Sequence, residues 1–396
     1  MVRCGPTMYA VGRFTRIRQG SATYERRNAF SFSATTGRLT RWNPRVNGEV
    51  NSVALSPNCA TAYLGGSFSR VRGRRVHNVV AVNAVTGAVV SRFSARTNNR
   101  VTTLTAARHR LFIGGTFTSV NGSRAHQYFA AVRLATGRDH GYVNLHISGH
   151  YVYKDARGRS SAPNATQVFN TALSPRGARL LVEGVFTSVG GRARRQIFMA
   201  DLRRRRLVVD RWYSKEFRRN CAVKEPFWLR GAGWSPDGST VYTATTGYKP
   251  AHGPGSRRTE RRAGLCDSAA AFPSSPRLVR HRWINYTGCD SLYSVAADSS
   301  AAYFGGHERW ADNRMGCDAP GRGAVAAPGM VGLSPRDGSI VANPTRGRGL
   351  GADAMLVTSA GLWISSDNAF GANICGRTPT GASAHGHAGI CFLPYR

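Results

Sequence analysis

Residues 63–68 read Tyr-Leu-Gly-Gly-Ser-Phe, a short apolar stretch followed by two small residues and an aromatic. The same order returns as YAVGRF from Tyr9, FIGGTF from Phe112 and LVEGVF from Leu181. Degenerate copies follow as YTATTGY from Tyr242, YFGGHERW from Tyr303 and WISSDNAF from Trp363. The starts near 9, 63, 112, 181, 242, 303 and 363 lie 54, 49, 69, 61, 61 and 60 residues apart. Such a period is too long for one solenoid coil and suits a four-stranded propeller blade with long loops.

The rest of each repeat keeps one order. Stretches such as NAFSFSATTG, NVVAVNAVTG, YFAAVRLATG and MVGLSPRDG end in Thr-Gly or Asp-Gly, which supply the positive φ of a tight hairpin. A short third strand follows (LTRW, VVSRF, VVDRW), and a fourth reads VNSVALSP, VTTLTAA, VFNTALSP, LRGAGWSP or LYSVAADS. These segments are rich in Val, Thr, Phe and Tyr, and no stretch holds a helical period over a dozen residues. The expected class is all-β: a β-propeller as a single domain over residues 1–396. Six repeats are complete. The seventh has room for two strands, WISSD and GICFLP, and the residues before Tyr9 for one more. A seven-bladed ring with an under-filled closing blade is expected, with a six-bladed ring as the alternative.

Composition narrows the class. With 41% hydrophobic residues and 10% aromatics the chain can bury a large core, which excludes global disorder. No apolar run approaches the ~18 residues that would span a bilayer as a helix. Lys+Arg number 55 against 20 Asp+Glu, a formal charge of +35, and only four of the 55 are lysines. Arginine is spread along the whole chain, with denser runs at Arg203–Arg206 and at Arg257, Arg258, Arg261 and Arg262. Nonspecific attraction of polyanions follows from that charge, but no nucleic-acid motif accompanies it.

Eight cysteines without a C-x-x-C pair read as disulfides of an oxidising compartment rather than a zinc site. Cys221 with Cys266, and Cys289 with Cys317, are the expected pairs. The first would close the long excursion around residues 247–264. The chain opens MVRCGPTMYAVGRF, without the apolar segment of an export signal, so Met1 is expected to lie downstream of the natural start.

The ordered set GGSFSRVRG, GGTFTSVNG and VFTSVGG with TTGRLTRWNPRVNG resembles secreted actinobacterial β-propeller proteins with delta-60-like GGxF repeats. The second half is similar in GWSPDGSTVY, LCDSAA, YTGCDSL, GGHERW, GRGAV, RGRGLGADAM and GLWISSD. The resemblance runs over nearly the whole chain. It implies a propeller fold and an extracellular or cell-wall-associated location, in a family largely without assigned biochemistry.

Candidate site residues come from aligning the repeats. The position before the motif's aromatic holds Arg13, Ser67, Thr116, Val185 and Thr246, then His307 and Asp367. A His beside a carboxylate is the type of pair that moves protons or holds a ligand. Asp267 and Asp290, with Glu308 and Asp312, make the later loops locally acidic, and two carboxylates at a suitable separation can hydrolyse a glycosidic bond. Arg309 and Trp310 could clamp an anionic group or stack a sugar ring. Catalytic candidates are therefore His307, Asp290 and Asp367, and ligand-binding candidates are these with Asp267, Arg309 and Trp310. The sequence implies no metal and no cofactor, and it lacks the serine-hydrolase, zincin and P-loop motifs. The expected function is a noncatalytic extracellular scaffold binding a glycan, a cell-wall polymer or a protein partner through its loop face. The alternative is a carbohydrate-active hydrolase or lyase using the acidic and His cluster.

Overall fold

The second strand of each repeat is buried on both faces along most of its length, and that burial organises the molecule. In Thr61–Ser67, Tyr63 packs with Leu104 and Ile113 of the following sheet, while Ala62 and Leu64 pack with Tyr9 of the preceding one. A strand buried on both faces needs a sheet on either side. The computed structural model describes the chain except residues 155–159, 219, 223–224, 248–263, 276, 318, 344–350, 367–388 and 396.

The described residues form seven principal antiparallel sheets in chain order. The first joins Val2–Cys4, Thr7–Val11 and Ala29–Ser33. The second joins Glu49–Leu55, Thr61–Ser67 and Val79–Asn83, and the third Val101–Ala107, Arg110–Gly115 and Phe129–Arg133. The fourth takes Gln167–Leu173, Arg179–Val185, Ile197–Asp201 and Val208–Val209. The fifth takes Trp228–Trp234, Thr240–Thr246, Ser268–Pro273 and Trp283–Tyr286. The sixth takes Leu292–Ala297, Ala302–Gly306, Met330–Leu333 and Ile340–Ala342. The seventh joins Ala352–Thr358, Gly361–Ser366 and Ile390–Pro394. Single bridges at Leu39, Val89 and Asp139 mark where the first three sheets carry the beginnings of a fourth strand.

Two strand assignments differ from the sequence reading. VNSVALSP and its counterparts do not end a repeat. Each opens the next sheet, because a tight turn such as that at Ser56–Thr61 folds it back on the following motif. By the same shift, Ala352–Thr358 supplies the seventh sheet with a first strand that the reading of WISSD and GICFLP omitted.

Seven apolar clusters link consecutive sheets, from Tyr9 with Val50, Val53 and Leu64 to Tyr303 and Met330 with Ile364. The last of them sets Trp363 of the seventh sheet against Met8, Ala10, Phe30 and Phe32 of the first. The order of packing thus returns to its start through side chains, without a shared strand among the described residues.

Two disulfides are described with both partners. Cys4–Cys59 pins the first strand of the first sheet to the turn of the second, and Cys289–Cys317 joins the expected pair. Cys266 is also disulfide-bonded, while the side chain of Cys221, its expected partner, lies outside the described part. No helix among the described residues is long and apolar enough to cross a membrane.

Candidate ligand-binding site

The paired glycines of the motif place the site. Gly66, Gly184 and Gly306 face the backbone of the neighbouring first strand so closely that a Cβ would strike the carbonyl of Glu49, Gln167 or Ser291. That close approach lies opposite a β-bulge in the first strand, and Thr245 and Ser366 hold the same place in the fifth and seventh sheets. The register skips one residue, at Asn51, Thr102, Phe169, Arg230, Tyr293 and Asp353, in the second to seventh sheets. A bulge re-aims the side chain it carries and is common beside binding sites. Six equivalent side chains are therefore presented from equivalent places near the starts of the first strands.

Three consecutive bulges meet. The Arg230 guanidinium carbon lies 5.2 Å from the Phe169 ring centroid and 5.6 Å from that of Tyr293. Arg230 is exposed, and both rings are half-buried. The Tyr293 hydroxyl and Nδ1 of His307 share a hydrogen bond of 3.1 Å, and the two rings meet edge to face at 4.9 Å. His307 is held in turn by its own amide, which donates to the Ser291 carbonyl at 2.8 Å.

The acidic candidates have other tasks. Asp290 is buried and takes a two-pronged ion pair from Arg309, with Nε to Oδ2 and Nη2 to Oδ1 each at 2.8 Å. The Arg309 amide adds a third bond to Oδ2 at 2.9 Å, and the guanidinium carbon sits 4.4 Å from the Trp310 ring. Asp267 is fully buried in a left-handed turn, its Oδ1 accepting from the Gly247 amide at 2.7 Å and its carbonyl from Thr287. Asp312 and Asn285 clasp each other through two bonds of 2.7 and 2.9 Å, and burial raises the Asp312 carboxyl above its ordinary value. Glu308 occupies the place of the motif's aromatic and is fully buried. Asp367 lies outside the described residues.

His307 and Asp290 thus come from neighbouring strand ends, but His307 engages Tyr293 and Asp290 engages Arg309. Phe169, Arg230 and Tyr293 belong to the site although the repeat alignment did not single them out. Their signal stood in the aligned first strands VNS, VTT, VFN, LRG and LYS, whose second position varies while the first stays apolar.

Inserted hairpins complete this end of the molecule. Arg16–Gln19 pairs with Ala22–Glu25, and Arg70–Val71 with Arg74–Arg75. Each follows directly on the second strand of its sheet, at the end where the bulges lie. Arg16, Arg18, Arg70, Arg72, Arg74 and Arg75 are all exposed. The two hairpins flank Asn43, whose side chain donates to the Glu25 carbonyl while its own carbonyl accepts from Arg72.

No protein-family model and no curated protein matches this chain. Among solved structures, the one titled "Structure of U3-55K" is similar at a TM-score of 0.51 and 11% identity, over 98% of this chain and 92% of that one. Hydrazine synthase of Kuenenia stuttgartiensis is similar at a TM-score of 0.47 and 13% identity, over 85% and 86%. The first likeness bears on fold alone.

Proposed function

We propose that the chain is a seven-bladed β-propeller that binds an acidic glycan or anionic cell-wall polymer outside the cell, without catalysing its breakdown. The observation that carries the reading is the cationic hairpin pair. Six exposed arginines stand on two ribbons that flank Asn43, and the acid of those ribbons, Glu25, is already paired with Arg27 at 2.9 Å, while nearby Glu49 accepts from Asn51. An excess of positive charge on these ribbons raises the local concentration of a polyanion and speeds its capture. Seven sheets in sequence, with Trp363 returning the packing to the first, support the ring of seven. Cys4–Cys59 and Cys289–Cys317, with Cys266 and Cys391 also bonded, fit an oxidising compartment.

Binding is favoured over hydrolysis because Asp290 and Asp267 are engaged in bonds that hold their own loops. A carboxylate whose two oxygens are both held by one arginine fork serves first as the brace of that arginine. Pull-down on purified cell walls and a glycan array test the reading, with product release from retained polymers followed in parallel. Retention of acidic polymers without product is the expected result. Retention of none, or release of product that Asp290→Asn abolishes, would overturn it.

A further inference from the structure

We propose that Phe169, Arg230 and Tyr293 form a subsite for the carboxylate of an acidic sugar unit, a uronate ring within the bound polymer. This rests on the proposed polymer binding and adds the residue that selects among polyanions.

Bulges in three successive sheets bring the three side chains together. The two aromatic rings hold the guanidinium by cation–π attraction, which fixes its plane without using its N–H donors. Those donors reach no acceptor among the described residues. Close approach of the fifth and sixth sheets sets the geometry: a Cβ at Gly231 would come within 2.7 Å of the Tyr293 carbonyl oxygen. His307 then fixes the Tyr293 ring through its hydroxyl.

Arg309 displays what the same construction does with a carboxylate. It too lies against an aromatic ring, Trp310, and its fork grips both oxygens of Asp290. At Arg309 the chain supplies the carboxylate, and at Arg230 the ligand supplies it. One planar fork can grip two oxygens of a carboxylate or of a phosphate, so the discrimination comes from what stands beside it. The apolar faces of Phe169 and Tyr293 beside the fork suit the C–H face of a sugar ring. The chemistry therefore selects a carboxylated sugar over a phosphate-bearing chain.

The test is calorimetric titration of the whole chain with hexagalacturonate, with its methyl ester and with a poly(glycerol phosphate) of similar charge. Binding of the acid is expected to exceed that of the ester by about tenfold or more, because the ester removes the charged fork partner. Arg230→Lys keeps the charge but not the fork, and it is expected to weaken the acid by about tenfold while leaving poly(glycerol phosphate) within about twofold. Phe169→Leu is expected to weaken the acid in the same direction, with an unchanged melting temperature confirming the fold. Equal binding of the acid by Arg230→Lys and the unaltered chain would overturn the subsite and leave the broader reading standing. If the unaltered chain binds none of the three, both fall.

Discussion

Trp363 and Phe32, the one in the last sheet and the other in the first, meet with ring centroids 5.2 Å apart and planes tilted by 59°. No strand is shared across this boundary among the described residues, so the packing order closes on side chains. Around the pair lie Phe30, Met8 and Phe392, the last with its ring centroid 4.7 Å from that of Trp363 and tilted by 35°.

Trp363→Ala should therefore cost about 3–5 kcal/mol of unfolding free energy, as for other buried aromatics. In a double-mutant cycle with Phe32→Ala, a coupling of about 0.5–1.5 kcal/mol is expected. Denaturant titration measures both. Strict additivity would show that the first and last sheets do not support each other.

Glu183 supplies a pH prediction. It replaces the first glycine of the motif, lies fully buried against the fifth sheet, and burial pushes its carboxyl up to about 8. The Ala232 amide opposes that shift from nearby, but neither carboxyl oxygen closes a hydrogen bond of good geometry. The folded pKa lies above the ordinary 4.5, so the native state holds the proton more tightly and stability falls as pH rises through that window. Glu183→Gln should leave stability near pH 4 unchanged and raise it by roughly 2–5 kcal/mol at pH 8. A variant whose advantage does not grow between pH 5 and 8 would contradict the assignment.

Gly66→Ala would drive a Cβ into the Glu49 carbonyl, backbone against backbone, where no side chain can turn aside. A loss of about 3 kcal/mol or more is expected. Gly20→Ala, at φ +59° in open space, should cost only about 1 kcal/mol. Similar melting temperatures for the two variants would mean that the bulge does not require its glycine.

Asp290→Asn leaves the half-buried Arg309 without its carboxylate, and a loss of roughly 2–4 kcal/mol is expected. Polymer affinity should stay within about twofold once the variant is folded. Affinity lost without stability lost would move Asp290 into the binding surface.

The repeat and the strand-rich class were legible because glycine pairs and Thr-Gly turns are local signals with local physical causes. Strand membership was not: VNSVALSP is one segment whichever sheet it joins, and only the hydrogen bonds to Thr61–Ser67 decide. The site was half legible. Arg309, Trp310 and His307 stood out by motif, yet the partner that occupies Arg309 could not be read from sequence. Phe169, Arg230 and Tyr293 come from three repeats, more than 60 residues apart in sequence, and only bulges at matching registers bring them together. Glu183 likewise looks like a simple departure from GG until its burial is seen.

Hydrogen–deuterium exchange of the whole chain with and without an acidic polymer locates the polymer on the surface. Binding at the hairpin end predicts slower exchange in Arg16–Glu25, Arg70–Arg75 and the starts of Gln167–Leu173 and Trp228–Trp234, with the turns at 56–60 and 235–239 unchanged. Protection confined to those turns, or no protection at saturating polymer, would contradict it.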